Sequence, residues 1–324
     1  MDGPVIEVTG LARSFRTGRG LSRKGRSQVQ AVAGIDFRVQ RGELFGLLGP
    51  NGAGKTTTIK MLITLLLPTA GRATVLGHDI VGESTAVRRK IGYVFGGDRG
   101  LYERLSALDN LRYFAELYAL PAREQRQRIG EVLDLVNLTG RENERVERYS
   151  RGMRQRLHIA RGLLHRPEVL FLDEPSIGID PVGARDLRAT VKDLVERGTT
   201  VLLTTHYMLE ADELCDRLAV IANGRIVAEG TSADLKKKVN TGTVLEVAVF
   251  GLPDGVAEKV RTSAHVQSVT VDVRDQAEVL TVHAMPGVDI AQIVLPHLEG
   301  SRFGRLITRE PTLEDAYIEL VTAA

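Results

Sequence analysis

Residues 49–57, GPNGAGKTT, constrain this chain more than any other segment, because Gly49, Gly54, Lys55 and Thr56 satisfy the pattern G-x-x-x-x-G-K-[ST]. Glycines at those places let the backbone turn tightly enough for successive N–H groups, those of Pro50-flanked Asn51, Gly52 and Ala53 among them, to converge on a phosphate. A helix starting behind the loop offers its positive end, and Lys55 adds a mobile full charge. At ~4 Å and an effective dielectric of about 20 such a charge pair interacts by roughly 4 kcal/mol, against about 0.3–1 kcal/mol for a helix dipole. The lysine therefore outweighs any single loop amide. The Thr56 hydroxyl is the expected Mg2+ ligand, with Thr57 beside it on the phosphate side, since magnesium takes oxygen donors and shares them with substrate phosphates. The flanks give the required context: 43–48, ELFGLL, reads as a buried strand and 57–66, TTIKMLITLL, as a buried helix.

With 324 residues the chain can bury a large core, and length alone favours two domains. Lys plus Arg is 43 and Asp plus Glu is 41, so no global basic field points to nucleic acid as a partner. One local exception is 12–28, where Arg13, Arg16, Arg19, Arg23, Lys24 and Arg26 occur without an acid. It reads as a solvated loop, or as a contact for anionic lipid or a partner. Cys215 is the only cysteine, which excludes an internal disulfide and a cysteine metal cluster and suits a cytosolic setting. The first residues, MDGPVIEVTG, lack the pattern of an export signal, and the longest apolar run, Met61–Leu67, is too short to cross a bilayer. Any membrane role is expected to pass through another chain.

Strand-like runs at 5–9, 35–39, 44–48 and 73–76 surround the glycine loop and predict a mixed sheet. From 106 the period changes: Leu108, Leu111, Phe114, Leu117 and Tyr118 mark a helix face meant for the core, behind Ser106 as N-cap. Ile129, Val132, Leu133 and Val136 repeat the pattern, so 105–148 reads as a mainly helical insertion. Helix 152–165, strand 169–173, helix 182–196, strand 200–204, helix 207–215 and strand 217–222 then predict a parallel sheet between helices. A polar seam at 231–242 separates this from strand 243–250, helix 254–262, strands 266–273 and 277–283, helix 287–295 and strand 302–308, the β-α-β-β-α-β order of a ferredoxin-like unit. A last helix, 313–322, follows Pro311 and a Thr312 cap.

The apolar run Val169–Asp173 ends in an acid that a strand would deliver to the magnesium side of the loop, making Asp173 the candidate metal partner. Glu174 follows it, placed to orient or deprotonate water for attack on a γ-phosphate. At this point the residues resemble the ATP-binding cassette (ABC) family over about residues 4–235. Besides GPNGAGKTT, YSRGMRQRL at 149–157 matches the family signature at Ser150, Gly152, Gln155 and Arg156, FLDEPSIGIDP at 171–181 places Asp180 at the D-loop acid, and TTHYMLEADELCDR at 204–217 supplies His206 as the switch histidine.

The resemblance implies an α/β P-loop NTPase fold of the ABC ATPase kind, residues 1–235, with a helical signature subdomain at about 98–165, and a small α+β, ferredoxin-like domain at 236–324. It implies ATP and Mg2+ as ligands and a head-to-tail homodimer in which one P-loop faces the other subunit's Ser150 and Gly152. His206 then contacts the γ-phosphate, Asp180 links the two subunits, and Phe15 falls where the family stacks an aromatic on adenine. Two departures stand out. The Q-loop glutamine is replaced by Gly96, with Gly97 and Asp98 after it, and the signature carries Arg151 and Met153 where the family has glycine and glutamine. Asp98 or a water is expected to substitute for the glutamine, and a glutamine restored at 96 is expected to be tolerated by ATP binding.

The C-terminal stretch ending in EPTLEDAYIELV, with YSRGMRQRL, looks like the ATPase subunits of ABC-2 type exporters, daunorubicin-resistance-like drug pumps among them. Such a subunit hydrolyses ATP at the cytoplasmic face of the membrane and powers efflux of a drug, antibiotic, lipid or polysaccharide through a separate permease, whose coupling helix is expected on 96–118. The alternatives are a regulatory or non-transport cassette with little hydrolysis, and a cassette acting on ribosomes or DNA. Neither the two cassettes in one chain of the ribosomal members nor the long coiled coil that DNA-repair members put between the P-loop and the signature is seen in the sequence.

Overall fold

The computed structural model describes residues 3–17, 27–96, 100–238, 242–274, 277–285 and 287–322. Contacts divide the chain between Thr231 and Ser232 into two compact units.

The larger unit is built on two sheets. Strands β1 (Ile6–Thr17), β2 (Ser27–Val39), β4 (Ala70–Val75) and β5 (His78–Asp79) form an antiparallel sheet in the order β2-β1-β4-β5. Strands β3 (Leu44–Leu48), β6 (Ile91–Phe95), β7 (Val169–Asp173), β8 (Thr200–Thr205), β9 (Arg217–Ala222) and β10 (Arg225–Gly230) form the second, ordered β10-β9-β3-β8-β7-β6. All its neighbours are parallel except β10, which returns antiparallel to β9.

Two differences from the sequence reading have clear causes. The basic segment 12–28 is strand at both described ends, because β1 and β2 continue their antiparallel ladder from Ile6↔Val39 out to Thr17↔Ser27. The four basic residues Arg19, Arg23, Lys24 and Arg26 lie outside the described residues. Strand β10, absent from the sequence reading, follows a two-residue Asn223-Gly224 turn with both residues at positive φ, which is hairpin chemistry.

Alternation sorts the central strands into two cores. Phe45, Leu47, Val169, Phe171 and Leu202 face the antiparallel sheet, with Phe45 stacked on Phe37 at 5.4 Å between ring centres. Leu44, Leu170, Leu172, Val201 and Leu203 face the opposite way. That side receives helices α3 (Ala107–Leu117), α4 (Ala122–Leu135), α5 (Arg151–Leu163) and α6 (Pro181–Glu196). Each fully buried side chain of this size contributes about 1.5–3 kcal/mol relative to exposure. Helix α1 (Lys55–Leu62) lies in the first core, α2 (Ser84–Lys90) precedes β6, and α7 (Met208–Leu214) joins β8 to β9. Helix α1 is shorter than the apolar run 57–66 suggests, since Thr64 takes a left-handed φ of 65° and ends it.

Helix α3 is capped as its sequence predicts, Ser106 Oγ accepting the Asp109 N–H at 3.0 Å. Its apolar face divides, however: Leu111 is buried, whereas Leu117 is 62% and Tyr118 38% exposed. With Tyr102 and Tyr113 they leave an aromatic surface open to solvent, so periodicity alone overstated the core here.

The smaller unit begins with α8 (Ser232–Lys238), in the stretch that reads as a polar seam, and continues as β11 (Val244–Phe250), α9 (Val256–Arg261), β12 (Val266–Arg274), β13 (Ala277–Ala284), α10 (Ile290–Val294), β14 (Arg302–Arg309) and α11 (Leu313–Thr322). Its sheet is antiparallel in the order β12-β13-β11-β14, the arrangement a ferredoxin-like chain produces. Leu245, Val247, Leu280 and Val282 pack with Val256, Val260 and Ile290 of α9 and α10. The other face is polar and, with α11, encloses a cavity of about 770 Å³. There Arg309 bridges Glu246 at 2.8 Å and Asp315 at 2.5 and 3.1 Å.

Candidate nucleotide site

The glycine loop leaves the end of β3, a strand buried along its whole length, and enters α1 through Gly54, whose φ of 110° suits only glycine without strain. A Cβ there would also come within 2.5 Å of the Ala31 carbonyl oxygen. The loop from Pro50 to Thr57, Ala53 excepted, surrounds a concavity of about 150 Å³ that Glu174 closes on the far side. Ala53 is buried beneath it and Gly49 offers its carbonyl oxygen to Lys55.

Lys55 is nearly buried, and its ammonium donates to the carbonyl oxygens of Gly49 at 2.6 Å and Pro50 at 3.2 Å. Glu174 Oε1 stands 3.2 Å from the same nitrogen, and Glu174 Oε2 stands 3.3 Å from His206 Nδ1. The order phosphate-loop lysine, carboxylate, imidazole thus runs across one opening. Thr56 Oγ1 donates to Asp173 Oδ1 at 3.1 Å. A hydroxyl and a carboxylate brought together in this way are the hard oxygen donors Mg2+ takes, and two protein ligands leave its remaining positions for phosphate and water. No cluster of three His, Cys, Asp or Glu side chains able to hold a metal by themselves occurs among the described residues.

Parallel pairing explains the convergence. Asp173 sits at the carboxyl end of β7 opposite Thr204 of β8, and β3 lies on the other side of β8, so the loop, the two acids and His206 all emerge at one edge. Glu174 itself takes a left-handed φ of 51°, a conformation that costs a non-glycine residue about 1–2 kcal/mol. Sequence reasoning missed what supports this turn. Thr204 Oγ1, fully buried, donates to Asp173 Oδ1 at 2.5 Å and accepts the Glu174 N–H at 3.1 Å. Below it, Ser176 donates to Glu210 of α7 at 3.0 Å. Burial pushes the Glu210 carboxyl above the usual carboxylate range, against hydrogen bonds from Thr205 and Ser176.

Gly96 follows β6 directly and donates its N–H to the Asp173 carbonyl oxygen at 2.7 Å. A Cβ at 96 would lie 2.5 Å from the Glu174 carbonyl oxygen and 3.0 Å from Ile177 Cγ2. Backbone packs on backbone here, and a side chain at 96 requires the two to shift apart, which weighs against the expectation that ATP binding tolerates a glutamine. Gly97 and Asp98 lie outside the described residues.

The remaining candidates lie apart from the loop concavity. Ser150 is exposed and N-caps α5, accepting the Met153 N–H at 3.2 Å, while Gly152 is buried in its first turn. Arg151 is exposed and reaches the Gly178 carbonyl oxygen at 3.4 Å. Asp180 N-caps α6, accepting from Val182 and Gly183 at 3.1 and 3.0 Å ahead of Pro181 at the first helical position. Phe15 is 37% exposed on β1, with the Arg13 guanidinium 4.8 Å from its ring centre, so it is not a core residue. A separate cleft of about 380 Å³ lies among Tyr102, Tyr113, Phe114, Leu117 and Arg161. No helix among the described residues is long and apolar enough to cross a membrane.

A P-loop entering a helix from a parallel sheet, with a helical insertion ahead of β7, defines an ATP-binding cassette, and the chain belongs to the ATP-binding proteins of the ABC transporter family. The family pattern described as "ABC transporter" matches residues 32–177. The chain is 37% identical to the linearmycin resistance ATP-binding protein LnrL of Bacillus subtilis strain 168, over 92% of this chain and 96% of that protein. It is 41% identical to a daunorubicin resistance ATP-binding protein of Streptomyces coeruleorubidus, over 90% and 91% respectively. Among solved structures it is similar to an ATP-binding subunit of an ABC transporter, with TM-score 0.60 and 30% identity over 72% of this chain and 92% of that one. A dimeric post-hydrolysis structure of the cassette MJ0796 bound to ADP and Pi gives TM-score 0.61 and 25% identity, covering 70% and 98%.

Proposed function

We propose that this cassette hydrolyses ATP to drive export through a separate ABC-2 type permease at the cytoplasmic face of the membrane. The observation that carries the reading is the convergence of five side chains at one end of the sheet, with Thr56 within hydrogen-bond reach of Asp173 and Glu174 standing between Lys55 and His206 at 3.2 and 3.3 Å. Lys55 and the amides of 51–56 hold the β- and γ-phosphates, and entry of the phosphates draws the ammonium off Glu174. Thr56 and Asp173 hold Mg2+, which when bound spreads the charge developing on the γ-phosphoryl group. Glu174, released from Lys55, orients a water in line and takes its proton. His206 contacts the γ-phosphate and restrains the Glu174 carboxylate from the side away from Lys55. Phe15 stacks on adenine, its second face covered by Arg13.

Two copies close head to tail, so that Ser150 and Gly152 of one cap the γ-phosphate on the other and Asp180 spans the seam, a reading supported by the dimeric form of the similar cassette MJ0796. The aromatic cleft around Tyr102 and Tyr113 receives the permease. Export of a drug or antibiotic is supported by the names of the two resistance proteins that align over nearly the whole chain. The smaller unit, which begins at Ser232, serves as an accessory domain, and the helices α3, α4 and α5 as the helical subdomain.

The test is phosphate release by the purified chain with and without membranes carrying the co-purifying permease. Glu174→Gln is expected to keep ATP binding, to accumulate an ATP-dependent dimer, and to lose turnover by about 10²- to 10⁴-fold. Near-wild-type turnover in that variant would remove Glu174 from its role, and a wild-type chain that binds ATP without releasing phosphate in either setting would favour the regulatory reading that Gly96 and Arg151 permit.

A further inference from the structure

The geometry points to Thr204 as the positioning residue that registers the metal-side carboxylate, Asp173, against the water-side carboxylate, Glu174; the inference rests on the roles proposed above for those two acids. One hydroxyl serves both. Its proton goes to Asp173 Oδ1 at 2.5 Å, and its lone pairs take the Glu174 N–H at 3.1 Å, which is shared with the Thr204 carbonyl oxygen at 3.0 Å. Asp173 Oδ1 also accepts from Thr56, so the carboxylate is pinned through one oxygen by two hydroxyls, and its rotation about the Cβ–Cγ bond is fixed.

The second bond matters because of the backbone it holds. Glu174 is at φ 51°, where a residue with a Cβ persists only if its surroundings over-determine it. Thr204 supplies that constraint from the neighbouring strand, through a register, Asp173↔Thr204, that parallel pairing of β7 and β8 fixes. A valine at 204 would keep the shape and β-propensity of the strand yet place a methyl against a carboxylate and an amide. Both would lose a partner in a site from which water is excluded, Thr204 being wholly buried. Partners that orient metal-binding side chains are typically worth 10- to 100-fold in metal affinity or activity.

The experiment uses the full chain with a non-hydrolysable ATP analogue and Mn2+, its affinity read by electron paramagnetic resonance, alongside phosphate release with Mg2+. Thr204→Val is expected to weaken Mn2+ binding to the nucleotide complex by about 10- to 100-fold and to lower kcat by a similar factor, with metal-free nucleotide binding changed by less than about 3-fold. Thr204→Ser, which restores the hydroxyl, should return both quantities to within about 3-fold of wild type. Thr204→Cys, which lacks the γ-methyl and replaces the hydroxyl by a weak S–H donor, gives a second deficient variant in case the valine chain folds poorly, with Thr204→Ser as its control of matching shape. Unchanged Mn2+ affinity in Thr204→Val or Thr204→Cys overturns the inference, and so does a serine variant as weak as either. A wild-type complex whose nucleotide brings no Mn2+ to the protein overturns the Asp173 assignment itself, which separates failure of that reading from failure of this one.

Discussion

Gly96→Ala is a perturbation whose size follows from distances. The added Cβ would sit 2.5 Å from the Glu174 carbonyl oxygen, and the two backbones must part by roughly 0.9 Å to reach ordinary contact. Because Gly96 donates to the Asp173 carbonyl oxygen at 2.7 Å, that movement stretches the bond past the useful range and gives up about 1 kcal/mol. Overpacking of this kind adds about 1–3 kcal/mol, for a total of roughly 2–4 kcal/mol. In a unit of the larger one's size each kcal/mol moves Tm by about 2–4 °C, so a fall of roughly 4–16 °C is expected by calorimetry. The displaced atoms belong to the two acids, and misplacement of about 1 Å lowers kcat by up to about 10²-fold. Phosphate release should therefore drop more steeply than nucleotide affinity, and Gly96→Gln should do no better, since its Cβ meets the same obstacle. A Gly96→Ala chain with Tm within about 1 °C of wild type and normal turnover would refute the close approach and everything drawn from it.

Lys55→Ala is expected to abolish tight ATP binding in a nucleotide titration, because it removes the buried ammonium from among the Gly49 and Pro50 carbonyls; unchanged affinity would contradict the site. His158 is buried, its Nε2 has no hydrogen-bond partner among the described residues, and burial, with Arg161 nearby, pushes its pKa down from 6.5 to about 3. The unfolded chain then binds the proton that the folded chain refuses, so stability falls as pH drops from 6.5 toward 3, by at most about 1.4 kcal/mol per pH unit. His158→Leu should flatten the dependence of Tm on pH between about 6.5 and 4.5, and an identical slope in both chains would exclude the histidine as its source.

The loop and its lysine were legible because three independent signals agree: the spacing of Gly49, Gly54 and Lys55, a five-residue buried strand before them, and a helix after. Asp173 and Glu174 were legible for a related reason, as an apolar run that ends in acids. Other features depend on neighbours distant in sequence. Strands β1 and β2 reach 17 and 27 because each satisfies the other's ladder, which basic residues on a solvent-facing side conceal from a search for apolar runs. Thr204 hides in TVLLTT, where threonine passes as a β-branched strand former and nothing local says that its hydroxyl meets an acid across the sheet. Leu117 and Tyr118 keep helical spacing yet stay exposed, since periodicity fixes which face they share and not whether anything covers it.

The bond from Ser176 to Glu210 fastens the segment beyond the two acids to the helix that follows His206. Both wings of the opening are thereby clasped at their root inside a single polypeptide. The spacing between imidazole and carboxylate is thus braced within one polypeptide, whatever comes to face the opening.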